Sequence, residues 1–329
     1  MSSPVAPVTL AELQEPVRSE LERVQRDLRR IIEADFQLIR DVNSHLLQMQ
    51  GKLFRPTIML LADQATGSAT DHAVTLAAVV ELIHLATLVH DDSVDHSVLR
   101  RGMPTINSLF SHQISVIMGD YLYSRAVIEL VRLNQFEALR VLSRVTNEMT
   151  VGEMRQLLAH DPLSFSEEQY DLLIRSKTAS LLAGAAELGA LKAPALQRAA
   201  VQRFGEALGM AFQIVDDLLD YTADAAMLGK PSGSDLREHK VTLPLIHALP
   251  RMSDAERRGV AALLRSAEPN EGQIAEVIGA VAHVGGLDYA RERAQRLGQQ
   301  ADAELDCLPP SPARDALRAS ITYVLDRRS

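Results

Sequence analysis

The stretch AVTLAAVVELIHLATLVHDDSVD, residues 73–95, decides the fold. Its first part, up to His90, is about long enough to cross a bilayer, but Glu81 and His84 interrupt it and Asp91, Asp92 and Asp95 close it. An apolar run with isolated polar breaks describes a helix packed inside a protein core, and no transmembrane segment is expected. Read as a helix, it sets Asp91 and Asp95 about 40° apart on one face, with His84 and Thr87 on the same stripe.

The rest of the chain keeps the same period. Apolar residues recur at helical spacing through most of the 329 residues, and no run alternates strictly as a half-buried strand would. Breaks fall at residue 51 and at 66–68, 101–104, 160–162, 193–194, 229–233, 250 and 309–310, which leaves ten or more helices. None of these breaks is long or polar enough to be a linker, and no period repeats. The expectation is all-α, a single domain over 1–329 with a short flexible tail at 1–8. An aromatic content of only 4% with no tryptophan agrees with helices rather than a sandwich or barrel.

Charge and cysteine narrow the setting. A formal net charge of −9 argues against nucleic acid as a partner. The single cysteine, Cys307, excludes an intramolecular disulfide and a cysteine zinc cluster, and fits a reducing, cytoplasmic location. The first thirty residues lack the basic flank and apolar run of a secretory signal.

Acids at a helix C-terminus repel each other and meet the negative end of the dipole, so HDDSVD is unfavourable unless a cation is bound. A solvated acidic helix end is the alternative. FQIVDDLLDY weakens that alternative, because it repeats the spacing with Asp216, Asp217 and Asp220 after another apolar helical stretch. Carboxylates facing a cavity suit a hard cation such as magnesium, which keeps waters and bridges to substrate phosphates.

The basic residues carry a second signal. Of 34 basic residues 29 are arginine, and lysine stands only at 52, 177, 192, 230 and 240. Lys52 and Arg55 share GKLFRP, Arg100 and Arg101 follow the first acidic motif, Lys177 and Thr178 begin KTASLL, and Lys230 and Lys240 flank a glycine-rich segment. Lysine retained in such segments suits a compact donor to phosphate. Each taken alone is also compatible with a surface lysine, a cap or a plain loop, and His84 alone with a satisfied core histidine. Together, acids and bases describe a site for two diphosphates, clamped by divalent metal on one side and by Lys and Arg on the other.

Six ordered segments carry a resemblance: GKLFRP, ELIHLATLVHDDSVDHSVLRRGMPT, GDYLYSRA, KTASLL, FQIVDDLLDY and GKPSGSDLREHKVTLPLI. They resemble the trans-type polyprenyl diphosphate synthases, head-to-tail prenyltransferases, over roughly residues 45–250. The resemblance implies the isoprenoid synthase fold, a large helical bundle around a central cavity, in a homodimer. It implies that Asp91, Asp92, Asp95, Asp216, Asp217 and Asp220 bind three Mg²⁺ ions holding an allylic prenyl diphosphate. Arg100, Lys177, Gln213 and Lys230 would contact that diphosphate, with Lys240 nearby and Thr178 also binding substrate. Lys52, Arg55, His84 and Arg101 would bind isopentenyl diphosphate. The family usually reads GGKRxRP, so a frequent arginine is Leu53 here; His96 and His239 also depart from its pattern.

The resemblance implies that product length depends on what blocks the cavity below the first acidic motif, where short-chain enzymes of the family commonly carry an aromatic ring at position 86 or 87. The alternative is that 86 and 87 are core residues and another helix sets the floor. Ala86 and Thr87 are small, which implies a medium or long all-trans product. A C20 synthase, a class I terpene cyclase and a non-catalytic subunit of a heteromeric synthase are the alternatives. The cyclase has no need of Lys52 and Arg55, and a non-catalytic subunit would be free to lose acids that this chain keeps.

Overall fold

The computed structural model describes residues 8–49, 51–157, 162–222 and 233–327. Lys230 and most of the expected tail at 1–8 lie outside these residues. The described chain is all-α apart from one ribbon. It begins with α1 (Leu10–Gln14), α2 (Arg18–Ile31), α3 (Gln37–Gln48), α4 (Phe54–Thr66) and α5 (Ala73–Val94). After the ribbon come α6 (Ile106–Leu109), α7 (His112–Arg132), α8 (Phe136–Leu157), α9 (Glu167–Ile174), α10 (Ser180–Gly189) and α11 (Ala195–Thr222). The C-terminal part holds α12 (Ser234–Arg237), α13 (Leu243–Ala248), α14 (Asp254–Arg265), α15 (Glu271–His283), α16 (Gly286–Glu304) and α17 (Pro312–Leu325).

Two helices organise the rest, and each ends in an acidic motif. α5 packs against α2, α4, α7 and α10, which explains an apolar surface on every side. It is long and apolar enough to cross a membrane by composition, yet its side chains from Leu76 to Ile83 are almost wholly buried. α11, 28 residues long, packs against α10, α16 and α17. Its Phe204 is a fully buried ring in the main core. A second apolar cluster, built on Tyr221, Leu236, Val260 and Val277, joins α12 and the C-terminal helices to the end of α11.

Three local features position the site. The ribbon pairs Leu99–Arg100 with Met103–Pro104 across a two-residue turn, in which Arg101 has φ +53° and Gly102 φ +75°. Such a turn needs positive φ at both central residues, which matches the strand twist at the cost of strain at Arg101. The sequence pattern predicts no strand, and two residues per strand are too few to show alternation. The second feature is a single π turn, Arg175–Ala179, that joins α9 to α10 without a break. Gly152 of α8 and Gly209 of α11 let their backbones close on it. A Cβ at Gly152 would lie 2.7 Å from the Ser176 side chain, and one at Gly209 2.6 Å from the Ala179 Cα. The third is Leu53, left-handed at φ +51°, just before α4.

Candidate active site

The ends of α5 and α11 open on a cavity of about 1070 Å³. Asp91, Asp95 and Asp216 line it together with Arg55, His84, Arg100, Arg101, Lys177 and Lys240. A second cavity of about 870 Å³ shares Asp95, Lys177, Thr178, Gln213 and Lys240 with the first and adds Asp217. The structure thus brings together most of the residues singled out from sequence, but gives them different tasks.

Asp92 is buried, and Arg100 holds it, with Nε 2.8 and 2.9 Å from its two oxygens and Nη2 2.8 Å from Oδ1. Asp91 and Asp95 are the members of that motif at the cavity wall. Burial raises Asp91 from the ordinary 3.8 to about 6, with Lys177 opposing and Glu153 and Asp95 adding to the rise. In the second motif only Asp216 lines the larger cavity; it is exposed and lies 3.6 Å from Arg327 Nη2. Asp217 is buried and takes hydrogen bonds from Tyr170 and Gln213. Asp220 accepts from the backbone N–H groups of Ser234 and Asp235, both at 3.0 Å, and so caps α12.

The π turn carries Lys177. Its Nζ donates to Glu153 at 2.7 Å and Gln156 at 3.2 Å on α8, and stands 4.0 Å from Asp91 Oδ2. Lys240 donates to Glu238 at 2.6 Å. Burial works against its charge, but Glu238, Asp95 and Asp235 keep its pKa above the ordinary value. Burial lifts Asp235 to about 7, with Asp220 adding to the rise.

A separate cationic group forms on α4 and the ribbon. Arg55 Nη1 donates to His84 Nε2 at 3.0 Å, and because arginine has no acceptor, the imidazole proton sits on Nδ1. Burial, then Arg55 and Arg101, push the His84 pKa well down, so the ring is neutral. Arg55 Nε is buried with no protein partner. Arg101 Nη1 donates to the Met49 carbonyl at 2.8 Å, and its guanidinium lies over Gly51, where a Cβ would meet it at 2.7 Å. Glu81, buried on α5 and raised by that burial, is partly offset by the charges of Arg55 and Arg101. Lys52 is exposed and lines a neighbouring cleft with Gln14 and Arg18, although burial of part of its side chain and the charges of Arg327 and Arg101 lower its pKa. Leu53 is buried in the main core and does not line the larger cavity, so leucine there is a packing residue.

Sequence reasoning missed Arg327, Tyr170, Glu153 and Asp235. Arg327 lies at the C-terminal end of the described chain, with its guanidinium 4.4 Å over the Phe212 ring and Nε and Nη1 buried without a protein partner. Its signal was weak, an arginine pair after an amphipathic helix. Below the acids the wall is formed by Ile83, Ala86, Thr87, Tyr123 and Met149. The Thr87 hydroxyl donates back to the His84 carbonyl at 2.8 Å, which satisfies it on its own helix.

The acids at the cavity can hold a divalent cation only with help from other ligands. Among the described residues no three His, Cys, Asp or Glu side chains converge to hold an ion by themselves. Asp91 and Asp95 on one helix and Asp216 on another supply oxygens alone, which fits a hard ion completed by water and substrate phosphate.

Comparison with known proteins agrees with this geometry. The profile of the polyprenyl synthetase family matches residues 36–281, and the chain belongs to that family. It is 37% identical over 315 residues to octaprenyl diphosphate synthase of Escherichia coli (strain K12), covering 94% of this chain and 96% of that protein. It is 39% identical over 316 residues to the all-trans-nonaprenyl-diphosphate synthase (geranyl-diphosphate specific) of Rhodobacter capsulatus, covering 95% and 96%. The polyprenyl synthase of Caulobacter crescentus CB15, solved with calcium and isoprenyl diphosphate, superposes with TM-score 0.93 at 34% identity, over 99% of this chain and 100% of that one. The helices therefore form the isoprenoid synthase fold.

Proposed function

We propose that the chain is a magnesium-dependent prenyltransferase that joins isopentenyl diphosphate to an allylic diphosphate and makes a medium to long all-trans polyprenyl diphosphate. One observation carries the reading: a single cavity is lined by acids of α5 and α11, by a separate cluster of cations, and by the small residues Ala86 and Thr87. In this reading the allylic diphosphate lies among Asp91, Asp95 and Asp216, with Lys177 and Lys240 as donors. These three acids would hold magnesium, three ions with substrate bound, which would supply charge neutralisation of the departing diphosphate. Arg55, His84 and Arg101 hold isopentenyl diphosphate, and Arg327, with two unpartnered donor atoms, adds to them.

The allylic C–O bond breaks and its electron pair leaves with the diphosphate. The double bond of isopentenyl diphosphate attacks the carbocation, forming the new C–C bond. A proton then passes to the released diphosphate, so no side chain serves as nucleophile. The protein contributes charge stabilisation of the leaving group, alignment of the two substrates, and a wall including Ile83, Ala86 and Met149 that keeps water from the cation.

The reading includes one cytoplasmic domain that works as a homodimer. Support for the dimer comes from α7, whose Ile117 and Val131 are 65% and 63% exposed with Ile128 between them. The test is to incubate the purified chain with labelled isopentenyl diphosphate, Mg²⁺ and C5, C10, C15 or C20 primers in turn and to size the products. Extension well past C20 is expected. Products that stop at C20 would make it a C20 synthase, and no incorporation with any primer would make it a partner subunit.

A further inference from the structure

The π turn that carries Lys177 is held to α11 by one closed set of hydrogen bonds, made before the turn and within it. Before the turn, the Tyr170 hydroxyl donates to Asp217 Oδ2 at 2.5 Å. Within it, the Thr178 hydroxyl donates to Gln213 Oε1 at 2.8 Å. Gln213 Nε2 closes the set by donating to Asp217 Oδ1 at 2.8 Å, one turn along α11. Tyr170 and Asp217 are only 2% and 6% exposed, so this is a buried link in which both carboxyl oxygens are already taken by protein donors. A carboxyl so occupied is poorly placed to ligate an ion directly, and its task must be sought in what it holds.

What it holds is the turn. A π turn inserts a residue into the helical repeat, and such turns occur mostly as single elements at functional sites. No proline or glycine lies between Tyr170 and Lys177 to enforce it. The close approach of Gly152 and Gly209 gives it room against α8 and α11 but no direction. The hydrogen bonds from Tyr170, before the turn, and from Thr178, within it, fix how far the helix is rotated between them. That rotation sets the reach of Lys177 toward Asp91 and Glu153.

We infer that Tyr170 is a positioning residue of the diphosphate site: through Asp217 and Gln213 it clasps the π turn to α11 and so aims Lys177 and Thr178 at the allylic diphosphate. The inference rests on the function proposed above. It assigns Asp217 to the clasp, and it predicts that one hydroxyl outside both acidic motifs governs one substrate and not the other.

The experiment uses Tyr170→Phe, which keeps the ring and removes the hydroxyl. Loss of a hydrogen bond that leaves a buried acceptor unsatisfied justifies an expected effect of about tenfold. Binding of inorganic diphosphate with Mg²⁺, measured by calorimetry, is expected to weaken about tenfold, and KM for the allylic substrate to rise by a similar factor. KM for isopentenyl diphosphate is expected to stay within twofold, because Arg55, His84 and Arg101 lie on other elements. Hydrogen exchange of the amides at 175–179 is expected to quicken. Unchanged diphosphate binding by Tyr170→Phe beside a wild type that binds would overturn the clasp. So would an equal rise in both KM values with a lowered melting temperature, which marks a role in packing alone. A wild type that binds no diphosphate would instead refute the function on which the inference rests. Should Tyr170→Phe fail to fold, Thr178→Val opens the clasp at its other end, and unchanged exchange at 175–179 in that variant would sink the idea.

Discussion

Asp91 offers the sharpest test, because its cost and its use have the same origin. Its carboxyl sits largely enclosed, with Glu153 and Asp95 nearby, and titrates near 6 instead of 3.8. Between those values the folded protein keeps a proton that the unfolded chain has lost. Metal-free stability therefore falls as pH rises through this window, and the loss is complete above about pH 6. The full penalty is about 3 kcal/mol, since each tenfold in the proton equilibrium is worth about 1.4 kcal/mol. About 2 kcal/mol of it develops between pH 4.5 and 7.5. For a chain of this length that is about 3 °C in melting temperature. Asp91→Asn cannot ionise. By calorimetry without divalent ions, the variant should melt progressively above the wild type as pH rises, gaining about 3 °C on it between pH 4.5 and 7.5. At pH 7.5, Mg²⁺ with inorganic diphosphate should raise the wild type well above its metal-free value and barely move the variant. Parallel melting curves across the pH range would refute the buried charge, and equal responses to Mg²⁺ would refute its use.

Arg100→Gln removes the guanidinium that binds both oxygens of the buried Asp92, and should cost about 3 kcal/mol in denaturant unfolding; most of that should return in the double variant with Asp92→Asn, and a larger loss there would count against the pairing. Ala86→Phe places a ring where the cavity wall is now a methyl group, so dephosphorylated products on chromatography should become shorter; an unchanged length would show that the chain grows elsewhere. Gly209→Ala drives a Cβ toward the Ala179 backbone at 2.6 Å and should destabilise by about 1–3 kcal/mol, read from the denaturation midpoint. Ile117→Asp with Val131→Asp should yield a monomer by light scattering, and a persisting dimer would move the interface off α7.

The parts of this molecule written in local pattern were readable from sequence. α5 and α11 declare themselves by continuous apolar periodicity, and the two acidic motifs by spacing repeated on one helix face. What stayed hidden depends on partners far apart in the chain. Nothing near Tyr170 announces that its hydroxyl meets Asp217, and nothing near Arg327 announces Phe212 or Asp216. Period also misleads about role. Asp91 and Asp92 are neighbours in one motif, but a helix turns successive side chains about 100° apart, so one reaches the cavity and the other an arginine beside it. The π turn left no mark because its residues, RSKTA, suit an ordinary helix, and what holds the wider turn, the close packing of α8 and α11 and the hydrogen bonds of Tyr170 and Thr178 to α11, comes from distant parts of the chain.

The ribbon at residues 99–104 has a consequence for how this chain can change. A surface hairpin usually tolerates gain or loss of a residue, since loop closure responds only weakly to length. Here the last strand residue and the first turn residue are consecutive arginines with different destinations, Arg100 to Asp92 and Arg101 to the Met49 carbonyl. Inserting one residue ahead of them would shift the strand register, turn Arg100 to the opposite face and carry Arg101 out of the turn. A segment that looks like a disposable loop is therefore a ruler, and its length is as constrained as the identity of any side chain it presents.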